Sequence, residues 1–165
     1  MGKLGVDDLE NLKGTHLDKA DQGELLSAQT ECTFIFSDES GHPCGVVMSF
    51  FEQEGVFWLT AVEGRHQVKG LDRDPHCSVV VSSAGSGLPG RRMLSIRGEG
   101  TVHRDDETKQ WFLDQFTTRL QPTDPVSWRK LLDSPKRVVF EVRPTSILAS
   151  HDQRKIAGNG RGMAG

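Results

Sequence analysis

Residues 56–81 read VFWLTAVEGRHQVKGLDRDPHCSVVV, and this stretch decides the fold. Val56–Val62 is dense in β-branched and aromatic residues, which suit a pleated, half-buried surface. Gly64–Pro75 breaks that rhythm. Val68 and Leu71 stand three apart among charges, as on a short surface helix, and Pro75 stops it. Cys77–Ser82 is again a strand. A strand, a glycine-bearing turn, a short helix and a second strand thus follow within one compact unit.

Working outward gives more strands with short connections. Cys32–Ser37 and Pro43–Glu52 flank the turn Asp38–Gly41, and a further turn at Gln53–Gly55 leads into Val56. Such connections favour antiparallel hairpins over parallel crossovers. Met93–His103 is a long strand in which Gly98 and Gly100 mark a bend, a bulge or a close backbone approach. Arg137–Val142 is another, with Val138, Phe140 and Val142 turned inward. Pro144 is expected to limit it, and Ser146–Ala149 to continue a sheet edge. Asp105–Leu120 is the clearest helix. Its first turn is acidic, which complements the helix dipole, and Phe112, Phe116 and Leu120 recur at helical spacing. Val126–Leu132 forms a second short helix. The expected fold is mainly β with inserted helices, a small barrel of six to seven antiparallel strands. Residues 1–23 read as a helical or flexible lead interrupted at Gly14 and Gly23, residues 24–156 as the barrel domain, and residues 157–165 as a disordered glycine-rich tail.

Composition bounds the function. The chain has 165 residues, 18.2 kDa and a formal net charge of −3, which argues against a nucleic-acid-coating surface. No apolar run is long enough for a membrane-spanning helix, and the polar N-terminus does not read as a secretory signal. Cys32, Cys44 and Cys77 are odd in number and widely spaced, so a reducing cytoplasm is the expected setting. The six histidines show no metal-ligand spacing, and no metal is expected. No GxSxG elbow occurs, tyrosine is absent, and no catalytic side chain is assigned. Gly85–Gly90 spells GxGxxG but runs into a strand rather than opening a helix, so it reads as a hairpin loop and not a dinucleotide fingerprint.

The chemistry is expected after Val62. A glycine turn before a helix frees backbone N–H groups, and the helix dipole favours an anion there. Arg65 adds a forked donor, Lys69 a point charge and Thr60 a hydroxyl. These suit a terminal phosphate. The same residues also fit an ordinary solvated helix face, and composition leaves both readings open.

The order CTFIFSDESGHPCGVVMSFF, GVFWLTAVEGRHQVKGLDRDPHCSVVV, a long strand with RGEGTV, an acid-started helix and the closing RVVFEVRPTSILASHDQRK resembles the pyridoxamine 5′-phosphate oxidase-like family of flavin-binding split β-barrels. The resemblance spans about residues 24–156. It implies a homodimer with cofactor sites at the subunit interface, holding FMN or a deazaflavin coenzyme and acting on a small-molecule substrate. It puts Arg65, Gln67 and Lys69 in the phosphate segment. Thr60 and Ala61 lie beside the ring and ribityl chain, and Val47, Met48, Ser49 and Phe50 on the strand that faces the ring. Arg154 and Lys155 come from the closing region, of the same chain or of a second copy. The chain departs from the common family pattern at Ser49, where tryptophan is usual, at Arg65-His66-Gln67, where Ser-Arg-Lys is usual, and at His151, also a tryptophan position. The implied activity is hydride transfer to or from an organic substrate. A flavin or haem carrier without turnover, and a dimeric domain with a decayed site, are the alternatives.

Overall fold

The structure is a computed structural model and describes residues 14–156. The first part of the expected lead, 1–13, and the expected tail, 157–165, lie outside the described residues. Six strands form the barrel: β1 (Glu31–Ser37), β2 (Pro43–Gln53), β3 (Val56–Val62), β4 (His76–Ser82), β5 (Arg92–His103) and β6 (Arg137–Asp152). All neighbours are antiparallel, and the closed order is β1-β2-β3-β6-β5-β4. Among the described residues four α-helices accompany them: α1 (Lys19–Ala28), α2 (His66–Arg73), α3 (Asp106–Leu120) and α4 (Pro125–Leu132).

Alternation along the strands fills the barrel. Phe34, Phe50, Leu59, Val79 and Phe140 have no exposed surface, and the Phe34 and Phe140 rings lie 5.6 Å apart. Truncating such a ring to alanine costs roughly 3–5 kcal/mol. β6 is buried on both sides at its start. Val138, Phe140 and Val142 face the barrel interior, while Val139 faces a second cluster under α3. There Phe51, Phe112 and Phe116 pack together, and Trp128 of α4 stacks on Phe116 at 5.2 Å. The apolar helical spacing of α3 is thus met by the outside of the barrel, not its inside.

Local signals set the boundaries. Asp105 caps α3, accepting from the Thr108 amide at 2.8 Å. The β2–β3 hairpin turns on Glu54 and Gly55, both at positive φ, the pattern whose twist matches paired strands. The GSGLPG segment joins β4 to β5, as a hairpin loop should.

Two expectations need correction. Gly23 does not interrupt the lead helix; α1 continues through it, capped by Asp18 and anchored by fully buried Leu25. Pro144 does not end β6. The β5–β6 register shifts between Arg97 and Gly98, and Pro144 sits opposite Gly98 at that irregularity, so the strand passes through to Asp152. A Cβ on Gly98 would meet the Arg143 carbonyl oxygen at 2.8 Å, and one on Gly100 would meet Leu71 at 2.7 Å, so the backbone approach expected there is real.

The first and last described segments are pinned together. The Asp152 amide donates to the Thr15 carbonyl at 2.7 Å, and buried Asp152 pairs with Arg154, which also reaches Asp21. Lys155 bonds Asp21 at 3.0 Å and the His16 carbonyl at 2.8 Å. Hydrogen bonding from Lys155 holds the Asp21 carboxyl below its ordinary value; burial opposes the same shift at Asp152, but Arg154 outweighs it. Both carboxyls are depressed on folding, so their contribution is present above the unfolded value of 3.8 and is lost as pH falls below it. Asp152→Asn is expected to lower the thermal midpoint near pH ~7 and to flatten its fall between pH ~4 and ~2. Thermal denaturation of the two proteins across that range checks this; parallel pH curves refute it.

Candidate functional site

β2 and β3 begin as a hairpin and then part. Their last paired residues are Phe50 and Leu59. Beyond that point β2 stays on β1, with Ser49 opposite Glu31 and Val47 opposite Thr33, while β3 stays on β6, with Thr60 opposite Val139 and Val62 opposite Arg137. The pairs that would continue the ladder do not form. A cleft of about 600 Å³ opens between Val46–Ser49 and Thr60–Val62, within the size range of small-molecule sites.

The parting leaves backbone groups without strand partners. Successive residues of a strand aim their N–H and C=O at opposite edges. The Phe50 amide donates to the Thr30 carbonyl on the β1 side at 2.9 Å. Val47 and Ser49 therefore aim theirs at the other edge, where no strand is registered. Val47 is 69% exposed.

One end of the cleft is the start of α2. Gly64 turns the chain at φ +87°, a conformation that favours glycine. Arg65 is the N-cap residue, and no side chain caps the first turn; the Arg65 and Val68 amides donate to the Val62 and Arg65 carbonyls, and the His66 and Gln67 amides remain available to an anion. Arg65, His66 and Gln67 line the cleft here. Its outer wall is Phe116, Trp128 and Leu132, an extension of the cluster under α3. Arg137, the first residue of β6, completes the lining.

The cleft brings together Val47, Met48, Ser49, Thr60, Ala61, Arg65 and Gln67 of the sequence-derived set. Their roles differ in detail. Met48 and Ala61 turn their side chains into the barrel core, and the Thr60 hydroxyl is donated to the Val138 carbonyl at 2.7 Å. Phe50 is fully buried just where the strands part. Lys69 does not join Arg65. One helical turn on, it lines a separate cleft of about 510 Å³ with Asp38, Glu39 and Arg73, and His66 borders both. Arg154 and Lys155 are engaged with Asp152 and Asp21, outside the cleft. Sequence reasoning missed Trp128, Phe116, Leu132 and Arg137. Phe116 reads as a buried helix position, Val126–Leu132 only as a short helix and Arg137 as a strand start; only the tertiary placement of α3 and α4 turns them to the site.

Arg104 braces the α2 end of the cleft. Its guanidinium pairs with Asp72 at 3.0 and 2.7 Å and with Glu63 just before the Gly64 turn. Asp72 and then Glu63 hold it charged well above the ordinary arginine value. Among the described residues no group of His, Cys, Asp and Glu is arranged to hold a metal, and no helix is long and apolar enough to cross a membrane.

The sequence model of pyridoxamine 5′-phosphate oxidase matches residues 21–151, and the chain belongs to that split-barrel family. No curated protein matches the chain. Several solved structures share the fold. A conserved hypothetical protein from Mycobacterium tuberculosis superposes with a TM-score of 0.76 at 17% identity, over 92% of this chain and 96% of that one. An FAD-binding protein from Mesorhizobium loti gives 0.61 at 16% identity, over 81% and 91%. The haem-storage protein HutZ of Vibrio cholerae gives 0.65 at 12%, over 80% and 94%.

Arg104→Ala is expected to free the Glu63–Gly64–Arg65 turn while leaving the barrel folded, because its contacts are exposed. Amide hydrogen exchange at residues 63–67 should accelerate with little change in melting temperature. Unchanged exchange there refutes the bracing role.

Proposed function

We propose that the protein binds FMN in the β2–β3 cleft and works as an FMN-dependent oxidoreductase. The observation that carries this is the unzipped edge. Unpaired Val47 and Ser49 backbone groups face a slot with a cationic, helix-capped end and an aromatic wall. That donor set fits a flat, hydrogen-bonding ring with an anionic tail, and family membership supports it.

When bound, the flavin supplies hydride transfer with an organic substrate. The chain's residues bind and orient. The β2 edge offers amides to the polar rim of the ring. Arg65, Gln67 and the first amides of α2 hold the terminal phosphate, charge-assisted through Arg65. Phe116, Trp128 and Leu132 keep water from the outer side. The cleft is lined by one imidazole, His66, and by no carboxylate or thiol, and the reading rests on no side-chain acid or base.

The reading includes a homodimer in a cytoplasmic setting. Val47 at the cleft mouth and Ile147 and Leu148 on the outer half of β6 are large apolar side chains left in water, and a second copy seated there would close the slot. The three cysteines are unpaired, which suits a reducing compartment. A second reading, a carrier without turnover, draws on the absence of an acid–base cluster in the cleft and on the likeness to a haem-storage protein.

Flavin fluorescence titration should give saturable FMN binding, weakened about tenfold or more in Arg65→Ala. A deazaflavin bound in place of FMN corrects the cofactor; binding without reoxidation after chemical reduction selects the carrier; no binding of either coenzyme rejects the reading. Analytical ultracentrifugation should find twice the 18.2 kDa chain mass, falling to the monomer in Val47→Glu/Leu148→Glu. A parent protein that is already monomeric refutes the dimer.

A further inference from the structure

Arg137 is the second arginine lining the cleft, beside Arg65. It opens β6 opposite Val62, three residues before Arg65, and the neighbouring Lys136 carbonyl accepts from the Glu63 amide at 2.8 Å. Its side chain is half-buried beside Trp128 and Leu132. Burial alone pushes it below the ordinary arginine value, an effect that a neighbouring carboxylate would have reversed. None of the residues lining the cleft is acidic. Arg137 makes no ion pair among the described residues; its one described side-chain bond runs from Nε to the Leu132 carbonyl at 2.9 Å.

Other arginines of this chain are treated differently. Arg92, Arg104, Arg129, Arg143 and Arg154 each meet a carboxylate. A guanidinium has five N–H donors, and the bond to Leu132 uses one. That bond tethers the C-terminal end of α4 and fixes the root of the planar fork. The two terminal nitrogens remain, in a slot that Trp128 also lines and that holds no counter-charge.

We propose that Arg137 is a second anion anchor of this cleft, taking a phosphate or carboxylate of the molecule that fills it. Forked donors suit either group. The inference rests on the cleft being a ligand site, as proposed above, but not on the ligand being a flavin. Two sources could supply the anion: the cofactor's own phosphate, gripped by Arg65 and Arg137 together, or the acid group of an organic substrate lying against Trp128.

The test compares the parent protein with Arg137→Gln and Arg137→Lys, with melting temperature and circular dichroism as fold controls. FMN, riboflavin and pyrophosphate are titrated by intrinsic tryptophan fluorescence, with Trp128→Phe assigning the signal. Benzoate and neutral benzamide are titrated into the FMN-loaded proteins and read by the flavin absorption band. Weakening of FMN by about tenfold or more in Arg137→Gln with riboflavin unaffected assigns the anchor to the cofactor phosphate. Weakening of benzoate but not benzamide, with FMN unaffected, assigns it to a substrate acid. Arg137→Lys, which keeps the charge without the fork, should fall between parent and Arg137→Gln. If neither flavin binds, the flavin reading fails alone, and pyrophosphate binding that drops in Arg137→Gln still sustains the anchor. Folded Arg137→Gln that binds every anion as the parent does overturns the inference, as does failure of every anion to bind the parent.

Discussion

The site exists because two strands that start as a hairpin do not finish as one. β2 is paired with β1 along its first half, and β3 with β6 from Phe57 to Val62. Their facing edges are paired only from Phe50 to Gln53 and from Val56 to Leu59, so beyond Phe50 and Leu59 those edges are left open. In a protein interior such an opening would be costly, since unpaired backbone groups need a partner. Here it lies at the surface, bordered by the α2 turn and by α3 and α4. The barrel closes on itself through β6 and β4, so the gap weakens one seam without opening the core.

The helices serve that gap in different ways. α2 supplies a positive end, and Arg104 ties its two termini to one side chain. α3 and α4 do not enter the barrel at all. They roof its outer surface through Phe51, Phe112 and Phe116, and their aromatic edge runs on into the cleft as Phe116 and Trp128. Packing energy and site shape thus come from the same rings, and the outer cluster cannot be repacked without altering the wall.

Much of the fold was legible in the sequence because its signals are local. Strand alternation, the Glu54-Gly55 turn and the acidic start of α3 each act within a few residues. Pro144 misled because a proline reads as a stop unless the register of its partner strand is known, and the extra residue beside it, Thr145, shows as a bulge only against Arg97 and Gly98 across the sheet. Gly23 misled because its local cost is outweighed by the burial of Leu25. For the cleft, the turn and Arg65 were visible as a glycine-bearing helix start. Lys69 was grouped with Arg65 by proximity in sequence, yet one turn of helix carries it to the other side of His66. Arg137 was invisible because its meaning depends on which carboxylates are missing around it, and sequence does not state that.

The cluster joining Thr15, Asp21, Asp152, Arg154 and Lys155 has a mechanical consequence. It staples the segment before α1 to the segment after β6, so the two ends of the described chain leave the molecule from one place. Tension applied between those ends loads the staple first. The hoop of six strands carries no force until the carboxylate–guanidinium contacts have parted, and the cleft on the β2–β3 seam is shielded from pulling in the same way.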